Sequence, residues 1–170
     1  MDLTAINSSD IIMLGGLYGS GKSAFAKKYF YDKARFRVSR SEIRKHIYEM
    51  AHFGDLWTGD KFSEEDDALV KHVERKMVEH YLHNKRKILL INTFSSVKSR
   101  AGFINIAKDS NHTISIIFLD TPLEKCNAQN NEEKSGVPTR VIYDLNFKKE
   151  LPTAREGFSK VLIINDFAIV

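Results

Sequence analysis

One cysteine, three prolines and nine glycines are all that 170 residues carry of the residue types that staple or break a chain. The lone Cys126 cannot close an internal disulfide, so the fold must hold without one, which suits a reducing, cytoplasmic setting. No apolar stretch approaches the roughly 20 residues of a membrane-spanning helix. Met1-Asp2-Leu3-Thr4 lacks the basic-then-apolar order of a secretory signal, so neither membrane insertion nor export is expected. Neither sign of charge dominates: 26 Lys and Arg stand against 22 Asp and Glu, a formal +4. That excess permits a polyanionic partner without requiring one. Repeats, low-complexity tracts and linkers are missing too. With 42% hydrophobic residues the chain is not a disordered one, and its length is that of one domain, 1–170, which buries roughly two-thirds of its unfolded surface.

What is present is alternation. Short β-rich runs (11–14, 35–38, 88–91, 114–119 and 161–164) are separated by longer helical patterns, and three of the five runs are continuously apolar, as strands covered on both faces are. Helices are expected over 22–30, from Ser41 (as a serine cap) to Met50, over 63–83, over 97–108, from Pro122 to about Asn131, and from Pro138 to Lys149. In the long helix before the third strand, Leu69, Val70, Val73, Met77 and Tyr81 fall on one face. Strand–helix alternation implies an α/β domain with right-handed crossovers and helices on both sides of a parallel sheet.

The strongest motif is Gly16-Leu17-Tyr18-Gly19-Ser20-Gly21-Lys22-Ser23, which matches G-x-x-x-x-G-K-[ST] at every fixed position, after a strand and before a helix. Glycines let backbone N–H groups turn inward around phosphate oxygens, and the helix N-terminus adds its positive dipole. The segment Gly16, Tyr18, Gly19, Ser20, Gly21, Lys22, Ser23 and Ala24 is therefore expected to hold a nucleoside triphosphate, ATP by default. Lys22 would sit on the terminal phosphates, and the Ser23 hydroxyl on Mg²⁺. A guanine-reading Asn-Lys-x-Asp run is missing, which argues against a switch GTPase. The third strand ends Ile91-Asn92-Thr93 with no carboxylate, which argues against a motor. A small kinase is favoured.

Val38-Ser39-Arg40-Ser41-Glu42-Ile43-Arg44, taken with the glycine loop, resembles the kinase domain of phage and bacterial 5′-hydroxyl polynucleotide kinases. Asn92-Thr93 with Arg100, the stretch 118–126, and Val137-Pro138 with Val141-Ile142 continue the likeness along most of the chain. The resemblance implies a three-layer P-loop kinase fold with a five-stranded parallel sheet and a helical lid at about 127–137. It implies phosphoryl transfer to a hydroxyl of a nucleic acid, either a 5′ end or a hydroxymethylated base, in a protein of possible phage origin. It also implies an acceptor site of Ser41, Arg44, Thr93 and Arg100, with Arg44 on the acceptor phosphate.

Two departures from that family stand out. Ser41 takes the place of its catalytic Asp, so Glu42, one residue along, or a carboxylate from Asp60, Asp66 or Asp67 is the expected base. In the lid, Gln129 replaces an arginine, leaving Lys134 and Arg140 to meet the transferring phosphate without the bidentate fork of arginine. Lys22, Glu42, Arg44 and Lys134 are thus the expected catalytic set. The aromatic loop 52–62 is expected to tuck Trp57 and Phe62 over the core, with one aromatic bordering the acceptor and Asp60 near the hydroxyl. A mononucleotide or small-metabolite kinase, or a non-catalytic nucleotide-binding module, stay open as alternatives.

Overall fold

A computed structural model of the chain describes residues 3–132, 136–165 and 167. Twelve regular elements fall among them: α1 (Thr4–Asn7), β1 (Ile11–Gly16), α2 (Lys22–Phe30), β2 (Phe36–Ser39), α3 (Arg40–Ala51), α4 (Glu64–His83), β3 (Ile88–Ile91), α5 (Val97–Asp109), β4 (Ile114–Asp120), α6 (Leu123–Glu132), α7 (Thr139–Phe147) and β5 (Val161–Asn165). The strands form one parallel sheet in the order β2-β3-β1-β4-β5.

The apolar runs explain that order. Every residue of β1 is buried, because β3 and β4 pair with its two edges and helices cover both of its faces. On one face Ile12, Leu14, Leu89 and Ile117 pack against Phe25, Ala26 and Phe30 of α2 and against Phe167. On the other, Ile11, Met13, Leu90 and Ile116 pack against Ile43 of α3, Val70 and Val78 of α4, and Phe103 and Ala107 of α5. At the edge, Phe36 and Arg37 of β2 are exposed while Val38 and Ser39 are buried. A third, smaller cluster sits beyond the C-terminal ends of the strands, where Leu17, Trp57, Cys126, Val137 and Ile142 meet. It joins the loop after β1, the loop before α4, and the α6–α7 pair.

Three details differ from the sequence expectation. First, α3 begins at Arg40, with Ser39 in the N-cap position; the Ser39 hydroxyl lies 3.2 Å from that of Ser41 and caps no amide, so Ser41 stands inside the first turn. Second, the fully buried stripe of α4 is Val70, Glu74, Val78 and Leu82, while Leu69 is half exposed. Of the expected face, Val70 is buried and Val73, Met77 and Tyr81 pack partly buried against the same core, so only its Leu69 edge turns outward. Third, Pro122 and Pro138 stand just before α6 and α7 rather than inside them, and α7 ends at Phe147. The cap of α4 is as expected: the Ser63 hydroxyl accepts from the Asp66 N–H at 3.1 Å, with four acids in the first turn to meet the helix dipole. Among the described residues, no helix is long and apolar enough to cross a membrane.

Candidate active site

A cleft of about 330 Å³ opens at the C-terminal edge of the sheet, the place where parallel α/β folds bind ligands. Its walls come from six segments. The glycine loop and α2 bring Tyr18, Gly19, Gly21, Lys22, Ser23 and Ala24; α3 brings Ser41, Glu42, Arg44 and Lys45; the end of β3 brings Ile91, Asn92 and Thr93; α6 brings Gln129 and Asn130; Trp57 and Val137 close the far side.

The glycine loop takes its shape from backbone conformations that only glycine adopts cheaply. Gly19 and Gly21 have φ of +75° and +91°. Gly19 also lies so close to α6 that a Cβ there would fall 2.0 Å from the Cys126 carbonyl oxygen. Thr121 Oγ1 donates to the Ser20 carbonyl at 3.0 Å, and the Gly16 N–H donates to the Thr93 carbonyl at 2.9 Å, so the loop is tied to the strands on both sides. Lys22 Nζ folds back onto the loop, donating to the carbonyls of Gly16 at 2.9 Å and Leu17 at 2.6 Å. These acceptors are ones that phosphate oxygens can replace. The Ser23 hydroxyl lies exposed at the start of α2, at the positive end of the helix dipole. This donor set fits a triphosphate and its Mg²⁺: Lys22 and the loop amides would hold the phosphates, and Ser23 would supply a hydroxyl to the metal.

On the α3 wall, Arg44 is buried and donates through Nη2 to Asp67 Oδ1 at 2.6 Å, while Asp67 also pairs with Lys71 at 2.8 Å. The guanidinium lies between aromatic faces, 6.0 Å from the Trp57 centroid and 5.2 Å from that of Phe62. Burial opposes the Arg44 charge, but Tyr18 and Asp67 outweigh it and raise its pKa. Burial likewise opposes the Asp67 charge, yet bonds from Lys71 and Arg44 hold that carboxyl below its ordinary value. Arg44 Nε and, across the cleft, Gln129 Oε1 are buried without a hydrogen-bond partner. Buried polar atoms left unpaired at a cleft wall are suited to receive a ligand's groups. Glu42 faces the cleft in a two-pronged ion pair with Arg37, through Nη1 to Oε1 and through Nη2 to Oε2 at 2.8 Å.

The sequence reading passed over Glu74. Its side chain is fully inaccessible; Arg40 donates to its Oε2 through Nε at 2.7 Å and also through Nη2, and Asn92 Nδ2 lies 3.4 Å from Oε1. A carboxylate therefore stands behind the end of β3 after all, supplied by α4. Burial pushes the Glu74 carboxyl up despite Arg40. Its signal in the sequence is an acid at the fourth residue between Val70 and Val78, interrupting the buried stripe.

Other expected site residues lie elsewhere. Arg100 is fully buried: it donates to both carboxylate oxygens of Glu156 at 2.7 and 2.9 Å and to the carbonyls of Phe94 and Glu150, each at 2.8 Å. This knits α5 to the segment before β5 and takes Arg100 out of the acceptor set. Asp60 is exposed, bonded to Thr58 and Lys61, and does not line the cleft. Arg140 is exposed on the first turn of α7 and also stands away from the cleft walls. Lys134 lies outside the described residues. Of the loop aromatics, Trp57 is buried against the cleft, whereas Phe53 is fully exposed. Between α6 and α7, Asn130 bonds reciprocally with the Val137 backbone, which brings Val137 into the wall.

The family model described as an AAA domain matches residues 11–151 of the chain. The chain belongs to that family. Within the AAA-domain family its fold is α/β, of the P-loop kinase kind. An L-seryl-tRNA(Sec) kinase of Methanococcus maripaludis is 22% identical over 142 residues, 84% of this chain and 53% of that protein, so the chain spans about half the length of that curated relative. Among solved structures, a chain of the Pnkp1/Rnl/Hen1 RNA repair complex superposes with a TM-score of 0.64 at 22% identity, covering 81% of this chain and 43% of that one. A sugar kinase from Janibacter sp. superposes with a TM-score of 0.63 at 11% identity, covering 91% and 84%. At these identities the likeness is one of fold.

Proposed function

We propose that this AAA-domain chain transfers the terminal phosphoryl group of ATP to a hydroxyl of a nucleic acid. The observation that carries the reading is that one cleft joins the phosphate loop to the α3 wall, with Lys22 and Ser23 on one side and Ser41, Glu42 and Arg44 on the other. Mg²⁺, when bound, would be held by the Ser23 hydroxyl and would neutralise charge on the phosphates. The chain's own residues do the rest. Lys22 exchanges its carbonyl partners for phosphate. Arg44, rigidly seated by Asp67 and two aromatic faces, holds an acceptor phosphate. Glu42 accepts the proton of the attacking hydroxyl, with Arg37 fixing its orientation. Catalysis is then positioning and charge neutralisation, with no covalent intermediate. The three similar proteins named above, an RNA repair assembly and kinases of a seryl-tRNA and of sugars, support a hydroxyl acceptor, and the first two support a polynucleotide one.

The test is incubation with γ-labelled ATP and Mg²⁺ against a panel: 5′-hydroxyl DNA and RNA oligonucleotides, hydroxymethylated DNA, a tRNA, mononucleosides and simple sugars. Label on a nucleic acid is the expected result. Label on a sugar or mononucleoside alone would replace the acceptor class. ATP binding with no transfer to anything would favour a nucleotide-binding module, a reading that the Ser41 position and the Arg37-bound Glu42 carboxylate specifically favour as second choice.

A further inference from the structure

Building on that acceptor reading, we infer that the groove between α2 and the β2 edge carries a single-stranded polynucleotide out of the cleft. Two surfaces continue from the cleft. One passes Arg44 and Trp57 toward the loop before α4; it narrows to about 30 Å³ between Tyr48, Lys61 and Asp66, too small a space for a nucleotide. The other begins at Ser23, which lines both spaces, and widens to about 400 Å³.

The wider groove has the chemistry of a nucleic-acid track. Its lining includes Lys27, Arg35 and Arg37 and no carboxylate. Lys27 is exposed and, among the described residues, forms no ion pair. Arg35 is pinned by donating to the carbonyls of Asn7, Ser9, Asp10 and Ile88, so its charge is fixed in place, with the Asp10 carboxylate acting on it from outside the groove's lining. Arg37 is shared with Glu42 at the end nearer the cleft. The floor is apolar, with Leu89, Ala26 and Phe30, and Tyr31 stands at the far end with 86% of its surface free. From Ser23 to Tyr31 the helix rises about 12 Å, the length of a few nucleotides. Cations along the rim meet phosphodiesters, and a terminal aromatic offers a face on which any base stacks. A mononucleoside or a sugar does not reach this far.

The test uses Lys27→Glu and Tyr31→Ala in the full chain, neither residue touching the phosphate loop's ligands. Single-stranded oligonucleotides of about 4 to 16 nucleotides and a mononucleoside are compared as acceptors, and fluorescence anisotropy follows binding of a labelled oligonucleotide across a salt series. Expected is a rise in KM for the oligonucleotides of about tenfold in each variant, with kcat and the KM for ATP unchanged. The slope of log affinity against log salt should also fall by about 1 in Lys27→Glu. Transfer to oligonucleotides with KM untouched in both variants overturns the groove and leaves the kinase reading standing. Oligonucleotide binding that the variants weaken, without any transfer by the native chain, keeps the groove and overturns the acceptor reading. No oligonucleotide binding at all overturns the groove.

Discussion

Asn130 and Val137 exchange two buried hydrogen bonds: the Asn130 Nδ2 donates to the Val137 carbonyl at 2.8 Å, and the Val137 N–H donates to Asn130 Oδ1 at 3.0 Å. One side chain thereby does for this loop what a strand partner would do, satisfying both backbone groups of a residue that packs beside Trp57, Leu17 and Cys126. Because Val137 and Asn130 both line the cleft, the pair sets the position of the wall facing the phosphate loop. Asn130→Ala leaves two buried backbone groups unpaired, and a loss of about 1–3 kcal/mol is expected in urea unfolding. Asn130→Asp, which keeps the acceptor but loses the donor, should fall between Asn130→Ala and the native chain.

The Glu74–Arg40 pair gives a prediction with a sign. A carboxyl raised on folding stabilises the folded state below its unfolded value, about 4.3, and that contribution is lost as pH rises through the folded value. Glu74→Gln removes the titration while keeping one acceptor oxygen for Arg40. Its stability relative to the native chain should therefore increase as pH climbs from the ordinary glutamate range toward neutrality, measured by urea unfolding at a series of pH values. Glu74→Ala removes the acceptors altogether, which should cost about 1–3 kcal/mol at every pH of the series.

These two relationships also mark the limit of what the sequence makes legible. The sheet was readable because strands buried on both faces must be apolar throughout, and the phosphate loop because its geometry demands glycine at fixed spacing. Phe118, Ile116 and Leu90 could hardly be elsewhere than the core. Glu74, by contrast, looks like one more charge on a long helix until the fold brings Arg40 from 34 residues away. Arg100 shows the converse: its place after Asn92-Thr93 looks functional, but Glu156, 56 residues on, claims its guanidinium. Side-chain chemistry reads locally, whereas partnership depends on tertiary contacts. Ser41 gives up the N-cap for a smaller reason, since Ser39 and Ser41 are chemically equal and it is Ser39 whose extended backbone precedes the first turn.

Arg44 and Asp67 separate acceptor binding from stability. Arg44→Lys keeps the charge but not the planar fork or its stacking on Phe62 and Trp57. The KM for the acceptor should rise about 10- to 100-fold, a loss of about 1.4 to 2.8 kcal/mol, with the KM for ATP unchanged. Asp67 has its carboxyl depressed, so its contribution is present above the unfolded value of about 3.9 and is lost as pH falls through the lower folded value. Asp67→Asn should be less stable than the native chain at neutral pH and converge on it as pH falls through the lowered value of Asp67. A constant difference across the acid range would remove Asp67 as a charged partner.

The choice of base is the sharpest question the α3 wall poses. Ser41 and Glu42 are adjacent in the first turn and both line the cleft, but a serine hydroxyl has no basicity to contribute without a base of its own. Glu42 is a carboxylate held in orientation by Arg37, which lies across from it on β2. A positioned general base contributes about 10²–10⁴-fold, so Glu42→Gln should lower kcat by at least 10²-fold with ATP affinity intact, whereas Ser41→Ala should change kcat by less than about threefold. Arg37→Ala supplies the control: freed from the ion pair, Glu42 loses its orientation but keeps its charge, and kcat should fall by less than in Glu42→Gln. Should Ser41→Ala be the more damaging change, the proton must leave through that hydroxyl to another acceptor, and Glu42 would be left as the residue that orients Arg37.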